Sequence, residues 1–64
     1  MPILFLVEIE LGNNRKSFLM VGEDLDVIET RVREKYKNSN IEWIDITEIV
    51  EVDKYKIKLT NINQ

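Results

Sequence analysis

Residues 3–11 read Ile-Leu-Phe-Leu-Val-Glu-Ile-Glu-Leu, and this stretch decides the fold. Its odd-numbered positions are all apolar, and this period of two predicts a β-strand with one continuous core-facing side. The even-numbered positions begin with Leu4 and Leu6 and become acidic at Glu8 and Glu10. The strand therefore belongs in the interior of a sheet, and the apolar half of its second side needs a cover.

A β-hairpin is predicted directly after this strand. Gly12, Asn13 and Asn14 tolerate positive φ, and residues 16–22 then return as a second strand. We take Asn13 and Asn14 as the two turn residues, because every apolar side chain then stays on a coherent face. This turn predicts the cross-strand pairs Ile9 with Phe18 and Val7 with Met20 on the core side, and Leu6 with Val21 and Glu8 with Leu19 on the other.

An α-helix is predicted to follow the first hairpin. Residues 23–26 supply an acidic N-cap and first turn, and the helix runs to about Lys37. Basic residues crowd its C-terminal half, where positive charge stabilises the negative end of the helix dipole. Apolar and aromatic residues at helical spacing form its buried stripe, namely Leu25, Ile28, Val32 and Tyr36.

A second hairpin is predicted in the remaining chain. Residues 41–52 are rich in isoleucine and valine, and residues 55–59 alternate between apolar side chains and lysine. With Asp53 and Lys54 as the turn, the predicted pairs are Val52 with Tyr55, Val50 with Ile57 and Glu51 with Lys56. Because Glu48 interrupts the core-facing side, we expect a bulge or bend near residues 47–49.

The predicted fold class is therefore α+β with the element order ββαββ. Its four strands form one antiparallel sheet, and the helix packs on one face. We prefer the strand order 2-1-3-4, because the first strand suits the sheet interior and the lysine-bearing fourth strand suits an edge; the order 2-1-4-3 stays open. Residues 1–60 are expected to form one domain, and residues 61–64 a frayed tail.

The composition excludes several classes of function. The 64-residue chain has no cysteine, which removes disulfides and thiol catalysis, and no histidine, which removes the commonest general base and metal ligand. It contains neither a calcium-binding loop nor a glycine-rich loop that could hold a phosphate. We therefore predict a protein that is not an enzyme and has no cofactor, metal or small-molecule ligand.

The N-terminal apolar run also bears on location. Residues 3–7 are too few for a signal peptide, lack a basic flank and are followed by Glu8. No apolar stretch approaches the roughly 18 residues that a membrane span requires. Since the chain also lacks cysteine, we predict a cytoplasmic protein. The abundance of isoleucine, lysine, asparagine and glutamate is typical of an AT-rich coding sequence, as in a low-GC bacterium, a phage or a mobile element.

A protein–protein interface is the leading functional prediction. A chain this small buries too little apolar surface to be comfortably stable alone, so additional burial between subunits favours a homodimer. One helix cannot cover both sides of a four-stranded sheet, so the uncovered side is expected to dock a second copy or another protein. Burial of these side chains by the tail, by Trp43 and by the aliphatic parts of lysines is the alternative. The candidate interface residues are Leu4, Leu6, Leu19, Val21 and Trp43, of which Trp43 could instead plug one end of the core.

Nucleic-acid binding is the alternative functional hypothesis. The formal net charge is −3, yet basic side chains cluster at the helix end and in the last strand. They would bind phosphates if the fold brought them to one side, whereas a solvated face paired with nearby carboxylates is the simpler interpretation. The candidate contacts are Arg31, Arg33, Lys35, Lys37, Lys54, Lys56 and Lys58.

Overall fold

The computed structural model describes residues 1–62 and contains a three-stranded antiparallel sheet, one helix and a separate two-stranded hairpin. The strands are β1 (Ile3–Leu11), β2 (Asn14–Gly22), β3 (Ile41–Glu48), β4 (Glu51–Val52) and β5 (Tyr55–Lys56), and the helix α1 is Leu25–Lys35. The sheet order is β2-β1-β3, and β4 pairs with β5 alone. The predicted α+β class, the antiparallel pairing and the central position of β1 are confirmed.

The first hairpin turns one residue earlier than predicted. Its turn residues are Gly12 and Asn13, and Gly12 has a φ of 61°. Positive φ at the first central position is what a type II′ turn requires, and glycine adopts it without a steric cost. The predicted cross-strand pairs of this hairpin are therefore wrong, because each residue of β1 lies opposite a residue two positions earlier in β2 than predicted. Every side chain nevertheless lies on the predicted face of the sheet. The observed pairs include Val7 with Phe18, Phe5 with Met20, Leu6 with Leu19 and Leu4 with Val21.

Helix α1 covers one side of the sheet and closes the core. The Asp24 carboxylate accepts a hydrogen bond from the backbone N–H of Val27 at 2.9 Å, which caps the helix as predicted. Ile28 and Val32 are fully buried, whereas Leu25 is 46% exposed and the helix ends at Lys35. The buried core consists of Phe5, Val7, Ile9, Ile28 and Val32. The core therefore lies between the odd-numbered side of β1 and the middle of the helix.

Strand β3 pairs with β1 and then leaves the sheet. Its last ladder bond runs from the backbone N–H of Ile49 to the carbonyl of Leu4, at 2.9 Å. The strand ends at Glu48, which lies opposite Phe5 on the core side. A carboxylate on the core side has to reach water, and Glu48 is exposed where the strand ends. The strand therefore ends in place of the bulge or bend predicted near residues 47–49. The predicted four-stranded sheet is not observed, since β4 and β5 pair separately.

The second hairpin, β4 with β5, follows as a short separate unit. The predicted pairs are confirmed: Glu51 lies opposite Lys56, Val52 lies opposite Tyr55, and the N–H of Ile57 donates to the carbonyl of Val50 at 3.0 Å. Its turn residues, Asp53 and Lys54, have φ values of 51° and 71°. Positive φ at both central positions is the type I′ arrangement. Residues 61 and 62 of the predicted tail belong to no strand, and residues 63 and 64 lie outside the described residues.

The detached hairpin leaves the molecule extended. Its radius of gyration is 13.1 Å, compared with about 10.7 Å for a compact chain of this length. The accessible surface is 5,329 Å², roughly 1,000 Å² more than the approximately 4,300 Å² expected for this mass. The apolar side chains that stay exposed include Leu19, Val50, Val52 and Tyr55. No helix within residues 1–62 is long and apolar enough to cross a lipid bilayer.

Candidate protein interface

The side of the sheet turned away from α1, called the outer face, carries the predicted interface residues. The odd-numbered residues of β1 contact the helix, so its even-numbered residues lie on the outer face. There Leu4 lies opposite Val21, and Leu6 lies opposite Leu19. The structure therefore brings these four residues together as one cluster, called the apolar patch.

The apolar patch is most exposed on β2. Leu19 is 63% exposed and Val21 is 44% exposed, whereas Leu4 and Leu6 are half-buried. The difference follows from the strand order, because β1 has neighbours on both sides and β2 is an edge strand. Leu19 and Val21 thus form the accessible part of the patch.

Trp43 lies on the outer face but apart from the apolar patch. It is opposite Glu10, and the row that contains Glu8 and Asp45 separates it from Leu6. The Arg15 guanidinium lies 5.2 Å from the centroid of the indole ring and also pairs with the Glu10 carboxylate at 3.3 Å. This cation–π contact covers part of the ring, and Trp43 remains 43% exposed. Trp43 is therefore neither part of the patch nor a plug in the core.

Two carboxylates meet in the middle of the outer face. Glu8 lies directly opposite Asp45, and like charges at such positions destabilise a sheet. The Thr47 hydroxyl donates to Asp45 Oδ2 at 3.1 Å, but no cation within residues 1–62 forms an ion pair with either carboxylate. Sequence reasoning missed this juxtaposition, because it depends on the β1–β3 register. In the same part of the chain, no group of three or more acidic, histidine or cysteine side chains could hold a metal ion.

The basic residues of α1 are engaged with their own neighbours. Arg31 donates to the carbonyl of Val21 at 2.9 Å, Arg33 pairs with Glu29 at 2.9 Å, and Lys37 pairs with Glu34 at 3.3 Å. These contacts stabilise the helix and its attachment to β2.

Lys35 and Lys16 cover the aromatic rim of the core. The Lys35 ammonium lies 5.3 Å from the Phe18 ring centroid and 5.7 Å from that of Tyr36, and the Lys16 ammonium lies 6.0 Å from the Tyr36 ring. Both ammonium groups therefore make cation–π contacts with aromatic rings at the edge of the core. These contacts account for the position of Lys35 at the C-terminal end of the helix without a nucleic-acid ligand.

Lys58, which follows the second hairpin, lies near the N-terminal end of α1. It lines the same cleft as Glu23, which lies just before the helix. Arg31 also lies toward this end, where it reaches the Val21 carbonyl, whereas Lys35 lies beside Tyr36 at the other end of the helix. Lys58 and Lys35 are therefore placed at opposite ends of α1.

An open cleft separates the second hairpin from the body of the molecule. It has a volume of about 770 Å³ and lies between the N-terminal residues 1–4 and residues 57–59. An ion pair between the N-terminal amine and Glu23, at 3.0 Å, lies on its rim. Since the hairpin stands apart from the sheet, several of its apolar side chains stay exposed: Val50 is 60%, Val52 is 52% and Tyr55 is 78% accessible. Sequence reasoning missed this surface because it placed these residues in the main sheet.

A comparison of the chain with protein-family models, curated proteins and solved structures finds no match. The two exposed apolar surfaces, the patch on the outer face and the side chains of the second hairpin, must therefore be interpreted from their own geometry.

Proposed function

We propose that this chain is a small non-enzymatic protein–protein interaction module that forms a homodimer through the outer face of its sheet. The observation that carries the proposal is the apolar patch, in which exposed Leu19 and Val21 adjoin half-buried Leu4 and Leu6. Contiguous apolar surface of this kind on a small protein is typical of an interaction site.

The exposure of the patch supports a contact between copies. Leu19 is 63% exposed and Val21 is 44% exposed, so a second copy packed on the patch would remove apolar surface from water. A domain of 64 residues has a small core, so burial between subunits adds substantially to its stability.

The charges of the outer face define where the dimer contact ends. The Glu8–Asp45 pair lies beside the apolar patch, and bringing two copies of this pair together would add repulsion. We therefore expect two patches to meet about a two-fold axis, with the carboxylates at the solvated rim. A cytoplasmic setting belongs to this proposal, since a chain without cysteine is compatible with a reducing compartment.

Nucleic-acid binding receives less support. The basic helix residues already contact carboxylates, a backbone carbonyl or aromatic rings, and Lys58 lies near the opposite end of α1 from Lys35. An interface that neutralises phosphates needs its cations along one surface.

Sedimentation equilibrium of two lysine variants tests the proposal. Leu19→Lys places a charge within the apolar patch, and at about 100 μM protein we expect it to lower the average molar mass relative to the parent chain, because the outer-face contact is lost. Ser17→Lys is the matched control, because Ser17 is an exposed residue on the same face of β2. The control should associate as the parent chain does. A parent chain that is monomeric, or a Leu19→Lys variant that associates unchanged, would contradict the proposal.

A further inference from the structure

We propose that residues 55–59 of one copy, called the C-terminal arm, add as a strand to the free edge of β3 in a second copy. This contact goes beyond the outer-face dimer and uses different residues. It would complete a four-stranded sheet between two chains rather than within one chain.

The edge of β3 is the open side of the sheet. β3 pairs with β1 on one side, and within residues 1–62 no backbone hydrogen bond reaches its other side. The β2 edge differs, because Arg31 binds the Val21 carbonyl and Lys16 is one of its residues. Charged side chains and covering groups protect edge strands, and the charges of β3, which are Glu42, Asp45 and Glu48, are all acidic. Such an edge repels an acidic strand and favours pairing with a basic one.

The side-chain pattern of the C-terminal arm fits this edge. Ile44 and Ile46 are half-buried on the helix side of β3, and Asp45 between them lies on the outer face. In an added strand, the apolar residues of the arm would extend the core beside Ile44 and Ile46. Its two lysines would then lie on the outer face beside Asp45. The alternating residues of the arm are Tyr55, Ile57 and Leu59 on one side and Lys56 and Lys58 on the other.

Charge complementarity favours the arm, rather than β3 of a second copy, as the strand that pairs with the free edge of β3. Residues 41–53 contain five acidic and no basic side chains, whereas residues 54–64 contain three basic and no acidic ones. Pairing two β3 strands would place acidic strands together. The arm instead brings lysine beside Asp45, whose carboxylate has no ion-pair partner within residues 1–62.

The turn of the second hairpin makes the arm easy to release. Asp53 and Lys54 both hold positive φ without being glycine, a strained arrangement that opening would relieve. Closed, the hairpin pairs Tyr55 with Val52 and Ile57 with Val50, so the arm lies beyond the end of its own β3. Short strained hinges of this kind favour exchange of a segment between copies.

Cross-linking between single-cysteine variants tests the contact, since the chain has no cysteine of its own. Thr47→Cys chains are mixed with Lys58→Cys chains and treated with a short bis-maleimide, which tolerates a small difference in register. We expect the mixed product, which joins position 47 of one chain to position 58 of another, to form a larger fraction of the cross-linked dimers than random pairing of the chains would give. Ser17→Cys, exposed on β2, replaces Thr47→Cys in the control and should give only the random share.

The outer-face dimer and the arm contact are tested separately by repeating this cross-linking with Thr47→Cys and Lys58→Cys chains that also carry Leu19→Lys. A mixed product that persists there shows the arm contact without the outer-face contact, even if the outer-face proposal has failed. Predominance of Thr47–Thr47 products, or only a random share of mixed product, would overturn the arm contact. A double variant with both Thr47→Cys and Lys58→Cys gives a further test. If its cross-links form only within single chains, the arm pairs with β3 of its own chain, and this result would also overturn the contact between copies.

Variants at the hinge give a second readout. Lys54→Gly relaxes the closed turn and should lower the yield of mixed product, whereas Lys54→Pro excludes positive φ and should raise it. Lys54→Ala removes the charge while retaining the strain, so it should match the parent chain. Equal yields from the glycine and proline variants would contradict a role for the hinge.

Discussion

The two hairpins of this protein have similar sequence patterns and different outcomes. Both alternate in polarity, and both close through a two-residue turn. The strands of the first hairpin have nine residues each, whereas those of the second have two. The first lies under α1, where Val7 and Ile9 are fully buried, and the second exposes Val52 and Tyr55. The comparison teaches that the surface available for packing, rather than alternation, determines how far a hairpin extends.

Truncating one apolar side chain in each hairpin should give the largest contrast. Ile9→Ala removes a fully buried side chain beneath the helix and should lower the free energy of unfolding by about 2–5 kcal/mol. Val52→Ala removes a side chain that is 52% exposed and should change it by less than about 0.5 kcal/mol. Urea denaturation followed by circular dichroism measures both. Comparable losses would mean that the second hairpin is part of the cooperative core.

The turns of the two hairpins should respond in opposite directions. At Gly12 a Cβ would meet no atom within 4 Å, so Gly12→Ala should destabilise the fold by about 1–2 kcal/mol through its positive φ alone. Lys54→Gly should favour the closed second hairpin by about 1 kcal/mol, because glycine adopts this φ freely.

Two measurements are needed for the turn variants. Urea denaturation reports Gly12→Ala, with Asn13→Ala as the control because φ at Asn13 is not positive. NMR cross-strand contacts between Val52 and Tyr55 report the hairpin population in Lys54→Gly. A Gly12→Ala variant as stable as the Asn13→Ala control would contradict the role assigned to the first turn.

Removing one charge from the outer face should have the smallest effect. Glu8→Gln ends the repulsion with Asp45 directly opposite and should raise the free energy of unfolding by about 0.2–1 kcal/mol. The gain should shrink with added salt, because screening weakens the interaction it relieves. Glu10→Gln is the matched control, since Glu10 pairs with Arg15 and its loss should not stabilise the fold. Urea denaturation at low and high salt distinguishes the two variants.

Much of the candidate site could be predicted from residue types alone. Alternation in β1 placed Leu4 and Leu6 on the outer face, and it placed Leu19 and Val21 on the same side of β2. This assignment tolerated the wrong turn, because a register shift of two residues leaves each side chain on its face. The position of Trp43 beneath Arg15 could not be predicted, since it depends on how β3 aligns with β1.

The amino-acid sequence by itself determined the local features of this protein: the faces of β1, the Asp24 helix cap, and a second turn at Asp53 and Lys54. The helix cap and the strand faces depend on neighbouring residues and their backbone preferences, and the second turn follows from the alternation of the residues on either side of it. The tertiary structure decided where β3 ends, that the second hairpin stands apart and that Glu8 meets Asp45. These features depend on which distant surfaces remain available for burial and on the long-range strand register, neither of which local periodicity specifies.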